Sequence, residues 1–205
     1  MLTIALPKGR IADETLEIFS KIFNTNFSFD NRKLTLEEHG FRFLNVRNQD
    51  VPTYVAHGAA DLGVVGLDVI TEQGLDIVDL LDMQLGKCRV SIGIKNEDDI
   101  DWSRPNIKIA TKMVNITKDY FAKRAVGVEV IKLYGSIELA PLVGLVDAIV
   151  DIVDTGATMR ENGLKVAEDI MLSSAHLIAN SNSFYAKKAE ILSIYEKIKS
   201  VVDGD

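Results

Sequence analysis

Short apolar runs alternate along this chain with stretches whose apolar residues recur every three to four positions, and no other feature narrows the available folds as much. LTIAL, from Leu2 to Leu6, reads as a buried strand closed by Pro7 and Gly9. Ala12, Leu16, Phe19 and Phe23 then mark the apolar face of an amphipathic helix. KLTLEEHGFRFLNV predicts a hairpin turning near Gly40. DVPTYVAHG predicts a helix with Asp50 as N-cap and Pro52 in its first turn. DLGVVG is a short buried strand entering a glycine turn, and LDVITEQG continues as a helix ending at Gly74.

The second half repeats the rhythm. CRVSIGIK, NIKIAT, VEVIKLYG and VDAIVDIV read as strands, TKDYFAKRA and SIELAPLVG as helices. DIMLSSAHLIAN is a strand or a pair of strands, and Phe184, Ile191, Tyr195, Ile198 and Val202 space out one closing helix. Such alternation predicts an α/β protein with mixed, largely parallel sheets. Two modules within 205 residues predict two lobes around a central cleft. Lobe I is expected over 1–90 plus 180–205, and lobe II over 91–179. Ligands of open α/β sheets sit beyond the carboxyl ends of strands, so the strand-to-helix turns are where chemistry is expected.

Composition sets the outer limits. With 47% hydrophobic and 26% charged residues the chain can bury a real core under an ordinary polar surface. A net charge of -7 argues against nucleic acid as a partner. One cysteine, Cys88, rules out an internal disulfide and is expected as a small core residue. His39, His57 and His176 lack metal-like spacing and are expected to be structural, and Trp102 to cover a loop. The apolar opening before Pro7 is too short for a signal peptide, and no apolar run is long enough to span a bilayer. The expectation is a cytoplasmic protein without a membrane partner. Acidity is uneven, because the stretch up to Arg47 is nearly neutral. Lys8, Arg10, Arg32, Lys33, Arg42 and Arg47 could therefore gather into one basic pocket for a phosphorylated ligand.

The turn with most chemical content is DIVDTGATMRENGL, Asp151 to Leu164. Gly156 and Ala157 let the backbone approach a ligand closely. Backbone N–H groups at the following helix start favour an anion, and the Thr155 and Thr158 hydroxyls can donate to phosphate oxygens. Carboxylates have the wrong sign for phosphate but suit sugar hydroxyls, or a Mg²⁺ carried on a polyphosphate. A phosphoribosyl ligand matches both halves of that description. The simpler reading, in which Asp154 or Thr155 only caps a helix, stands beside it on local sequence alone.

The wider segment GSIELAPLVGLVDAIVDIVDTGATM, Gly135 to Met159, resembles the signature of the ATP phosphoribosyltransferase family. Glu138, Gly144, Ile149, Asp151, Thr155, Gly156, Thr158 and Met159 stand in the family's order and spacing, and Val146 departs from its usual small residue. ALPKGRI resembles the family's opening strand and first substrate loop, VRNQDVPTYVAHGAADLGVVGLDV its next long block, and IKIATKMVN its second-lobe strand and turn. The resemblance runs along nearly the whole chain and matches the short form, which lacks a C-terminal histidine-binding domain.

That resemblance implies a two-lobed fold like the type II periplasmic binding proteins. It also implies a reaction, the first of histidine biosynthesis: Mg²⁺-dependent condensation of ATP with phosphoribosyl pyrophosphate into phosphoribosyl-ATP and pyrophosphate. By the same token Asp154, Thr155, Gly156, Ala157 and Thr158 cradle the 5-phosphate, with Asp151 just upstream, and Glu138 and Asp154 meet the ribose hydroxyls. Lys8 and Arg10 are implied as catalytic cations on the pyrophosphate and ATP phosphates, and Arg32 as a second arginine reaching the leaving group from a neighbouring subunit. Gly9, Arg47, Asp50, Gly66 and Asp68 are the implied nucleotide side, with Mg²⁺ carried by substrate rather than by a protein cage. Plainer roles are open to several of these: Asp50 and Asp68 as caps, Gly66 as a turn, Glu138 as a helix start, Arg47 as a solvated charge. Implied partners are a second copy of the chain in a homodimer and a regulatory subunit resembling histidyl-tRNA synthetase in a hetero-octamer. A two-lobed binding module without chemistry and a type I base-salvage phosphoribosyltransferase are the rival readings. The joint presence of PKGR and the Asp-Thr-Gly-Ala-Thr loop disfavours the first, and the order of the four blocks the second.

Overall fold

A computed structural model of the chain describes residues 1–30 and 33–204. Its strands are β1 (Leu2–Pro7), β2 (Thr35–Glu38), β3 (Phe41–Val46), β4 (Leu62–Gly66), β5 (Val78–Lys95), β6 (Ile107–Thr111), β7 (Val128–Lys132), β8 (Ala148–Val153) and β9 (Leu164–Ala179). The helices are α1 (Arg10–Phe23), α2 (Val51–Ala56), α3 (Leu67–Gln73), α4 (Val114–Lys123), α5 (Leu139–Leu142), α6 (Ala157–Glu161), α7 (Ser181–Ala186) and α8 (Lys188–Asp203). The α/β alternation read from the sequence is present, in two compact units. The first takes Met1–Gly86 and the chain from Ser174 onward, the second Lys87–Ser173. β5 and β9 each pass from one unit into the other.

In the first unit β1 pairs in parallel with β3 and β4, while β2 and β9 add antiparallel partners to β3 and β4. The β2–β3 hairpin turns on His39 and Gly40, both with positive φ. On one sheet face Ile4, Leu6, Phe43, Leu62 and Leu177 meet α1 and α8. Phe19 of α1 is fully buried there, with the rings of Phe27, Phe41 and Phe43 edge-on at 5.8, 5.3 and 5.0 Å. On the other face α2 lies against β4 because residue 63 is glycine. A Cβ there would come within 2.8 Å of Val55 Cγ2 and 2.9 Å of Val51 Cγ1.

A polar knot fastens the chain's end to this unit. Asp61, just before β4, accepts hydrogen bonds from the Thr3 N–H, the Ser183 hydroxyl and the Lys187 ammonium at 2.9, 2.7 and 2.9 Å. Asn180 accepts from the Ser183 N–H and donates to the carbonyls of Val55 and Ala56.

In the second unit β6 pairs in parallel with β7 and β8, and β5 runs antiparallel to β8 over Arg89–Gly93. Val90, Ile92, Ile109, Val150 and Phe121 fill one face, with Trp102 packed on Phe121 at 5.3 Å. Ala110, Ile149, Val153, Met159 and Leu164 fill the other. Val146, the residue that departs from the family pattern, is buried in that second cluster.

Several expectations are corrected. β5 begins at Val78, well before CRVSIGIK, and Cys88 lies half-buried within it rather than in the core. β9 is one strand, extending back to Leu164. The closing helix is two, α7 and α8, broken at Lys187, whose ammonium is held at Asp61. Asp50 precedes α2, but its side chain makes no capping bond. The N-cap position of α3 belongs to Gly66, which leaves Asp68 buried in the first turn.

Candidate active site

Parallel strands bring their carboxyl ends to one edge, and the edge of the first unit collects one group of candidates. Pro7 is in register with Val46, and the Lys8 N–H donates to the Val46 carbonyl at 2.9 Å. Lys8, Gly9 and Arg10 therefore leave β1 beside Arg47, which follows β3. Gly9 has φ 103 and occupies the N-cap position of α1, its carbonyl accepting from the N–H of Ala12 and Asp13. Lys8, Arg10, Arg47 and Asp50 are exposed, and Arg10 makes a loose ion pair with Glu14 at 3.7 Å. Gly66 ends β4, the other neighbour of β1, Asp68 follows it, and both are buried.

The single basic pocket does not form as expected. Arg42 is in register with Thr3, near the start of β1, while Lys8 follows its end. Its guanidinium is bound to Glu37 at 2.7 Å, and Lys33 is bound to Asp30 at 2.8 Å. Exposed cations so paired have their charge met locally and contribute little to a distant anion. Arg32 lies outside the described residues. Lys8, Arg10 and Arg47 are the members of the group that share an edge.

In the second unit β8 delivers Asp154–Thr158 to the edge it shares with β6. Gly156 takes φ 75 and ψ 9, a left-handed conformation that glycine adopts without a Cβ penalty. The loop is closed by Arg160, whose Nη1 donates to the Thr155 carbonyl at 2.9 Å and whose backbone N–H donates to the Gly156 carbonyl at 3.1 Å. Thr155 Oγ1 faces the Ala157 N–H at 3.3 Å, a weak turn contact. The backbone N–H groups of Gly156 and Thr158 have no partner among the described residues. α6 has only five residues and ends where Gly163 turns to φ 71. An anion at this loop would meet individual N–H and hydroxyl donors, with little help from a helix dipole. Glu138 is half-buried at the N-cap position of α5 and makes no side-chain capping bond.

Asp151 lies beneath the loop, on the strand face carrying Ile149 and Val153. Its Oδ1 accepts from the Ile152 N–H at 2.8 Å and sits 3.2 Å from Lys112 Nζ. Lys112 follows β6 within IKIATKMVN, and no motif chemistry in the sequence singled it out. Its alternation with Ala110 put it on the face of β6 shared with Ile149, the one signal that could have found it. The turn is stiffened by the buried Thr111 hydroxyl, which accepts from the Met113 N–H at 2.9 Å. Among the described residues there is no cluster of three His, Cys, Asp or Glu that could hold a metal ion.

The family model described as HisG, ATP phosphoribosyltransferase, matches residues 47–200. An ATP phosphoribosyltransferase of Sulfurovum sp. is 78% identical over 204 residues, covering 100% of this chain and 99% of that one. Among solved structures, the ATP phosphoribosyl transferase (HisG:HisZ) complex from Thermotoga maritima aligns over 100% of both chains with TM-score 0.87 and 32% identity. The substrate binding protein of an amino acid ABC transporter aligns over 99% of this chain and 93% of its own, with TM-score 0.60 at 14% identity, a likeness of fold alone.

Proposed function

The chain belongs to the ATP phosphoribosyltransferase family, and from that premise we propose how its two sheet edges divide the work of the reaction. The enzyme is a pentosyltransferase of histidine biosynthesis that condenses ATP with phosphoribosyl pyrophosphate, giving phosphoribosyl-ATP and pyrophosphate. Adenine N1 attacks the ribose C1 as the bond to pyrophosphate breaks, so the protein needs no covalent nucleophile. Its task is to hold two anionic substrates in line and to stabilise charge growing on the leaving group.

The Asp154–Thr158 loop holds the 5-phosphate through the Gly156 and Thr158 N–H groups and the threonine hydroxyls, while Asp151, Asp154 and Glu138 accept from the ribose hydroxyls. The left-handed Gly156, with its own N–H and that of Thr158 unpartnered among the described residues, is the observation that carries this reading. Lys8 and Arg10 meet the pyrophosphate and ATP phosphates, a planar guanidinium being suited to two phosphate oxygens at once. Arg32 is proposed to join them across a subunit interface. Gly9, Arg47, Asp50, Gly66 and Asp68 form the nucleotide side; the buried Asp68 supports close packing there more than a solvated contact. Mg²⁺ bound with the substrate would supply neutralisation of charge on the leaving group. The exposed Asp154 and half-buried Glu138 carboxylates are hard oxygen donors that fit such an ion. We place the protein in the cytoplasm, where its substrates are made. A homodimer, and a hetero-octamer with a histidyl-tRNA-synthetase-like subunit, are the assemblies we propose; the Thermotoga maritima neighbour, a HisG:HisZ complex, supports the second.

The test is an assay with the purified chain, Mg²⁺, ATP and phosphoribosyl pyrophosphate, with pyrophosphatase present and the product identified by mass. Phosphoribosyl-ATP is the expected product, and its formation should be nearly indifferent to added histidine. Strong inhibition of the pure chain by histidine would contradict the proposed dependence on a separate regulatory subunit. A folded chain that forms no product alone or with that subunit would favour the binding-module reading instead.

A further inference from the structure

We propose that Lys112 is a positioning residue for the phosphoribosyl site, acting through Asp151. The inference rests on the assignment of that loop and carboxylate made above. Asp151 is a carboxylate placed directly under a phosphate cradle, with its side chain only 15% exposed and apolar residues on either side along the strand face. Unpaired, its charge would be costly to hold there and would repel the ligand the loop is built to accept. Lys112 answers both problems. Its ammonium stands 3.2 Å from Asp151 Oδ1, so the pair presents no net charge to the phosphate.

The geometry also orients the carboxylate. The Ile152 N–H and the Lys112 ammonium both fall on Oδ1, and among the described residues Oδ2 has no partner. That oxygen remains an acceptor for a ribose hydroxyl. Lys112 itself is held in register by the parallel pairing of Thr111 with Val150 and by the Thr111 hydroxyl turn. A side chain that is 32% exposed at a sheet edge would normally wander, and this one is anchored at both its backbone and its tip.

Kinetics of K112M, K112R, D151N and the K112M/D151N double variant, with the melting temperature of each, test the proposal. K112M is expected to lower kcat/KM for phosphoribosyl pyrophosphate by at least about tenfold, the scale of a charge-assisted hydrogen bond, with the KM for ATP moving less than about twofold. K112R should recover most of the loss. Because lysine acts through aspartate, adding K112M to D151N should cost less than about a further twofold, where independent roles would multiply. K112M with wild-type kinetics overturns the inference, as do multiplicative losses in the double variant, which would put lysine on the substrate itself. Equal losses for both substrates with a lowered melting temperature would reduce the pair to a fold contact. A wild type inactive both alone and with the regulatory subunit overturns the transferase reading and this inference with it, whereas an active wild type matched by K112M overturns the inference alone.

Discussion

Gly156→Val is expected to lower kcat/KM for phosphoribosyl pyrophosphate by at least about a hundredfold, equivalent to about 2.7 kcal/mol of transition-state stabilisation. Two effects add. A β-branched residue at φ 75 is strained by about 1–2 kcal/mol, which the loop can relieve only by changing shape. Any Cβ at this position also arrives 3.0 Å from Arg160 Nη1, the group that closes the loop on the Thr155 carbonyl. Loss of that closure moves the N–H donors away from the phosphate by distances at which hydrogen bonds weaken steeply. Gly156→Ala should be milder, since alanine carries the strain without the branch. Steady-state assays with each substrate varied in turn, beside a thermal melt, decide the matter. Wild-type kinetics for G156V would mean that the phosphate is held elsewhere.

Asp61→Ala should be the most damaging single change to stability among the polar residues described. It removes the acceptor for three donors at once and leaves the Thr3 N–H and Lys187 ammonium unanswered. Breaking a buried pair can cost 3–5 kcal/mol; water reaching the 35% exposed Lys187 side chain brings the expectation to about 2–4 kcal/mol. Burial opposes the Asp61 charge, but the Thr3 N–H, Lys187 and Ser183 outweigh it and hold the carboxyl below its ordinary 3.8. A depressed carboxyl stabilises the folded state in full above its unfolded value and ceases to do so as pH falls through the folded one. Urea titrations should therefore find the gap between wild type and D61A full at pH 7 and narrowing below about pH 4. A gap that did not change with pH would mean that the charge is irrelevant and only packing was lost.

Strands with nearly uniform apolar runs, such as β1 and β4, were legible because burial on both sides leaves no other pattern. The opening of β5 was not. Asp79 and Asp82 interrupt its apolar pattern, and they answer His176 and Ser174 of β9 at 2.9 and 2.7 Å, partners nearly a hundred residues away. The break between α7 and α8 was hidden for the same reason. It turns on Lys187 reaching Asp61, while the apolar spacing runs on across it. The strand-to-helix turn at Asp154–Thr158 was readable because its residue types carry it, whereas the Lys112–Asp151 contact depends on register. Arg42 and Lys33 show the reverse error. Charges close in sequence to a candidate site were grouped with it, although pairing with Glu37 and Asp30 takes them out.

The passage of β5 and β9 through both units has a consequence for how the molecule is made. Lys87–Ser173 is one unbroken stretch, so all of its strands are available as soon as that stretch leaves the ribosome. The other unit cannot close so early, because β4 waits for Ala175–Ala179 and the core face for α8. Lys87–Ser173 should therefore finish folding before the unit whose first strands precede it in the chain. While the middle of the chain is made, β1 and β4 would stand with their sheet unclosed and Phe19's ring cluster uncovered by α8, the interval in which a nascent chain most needs a chaperone.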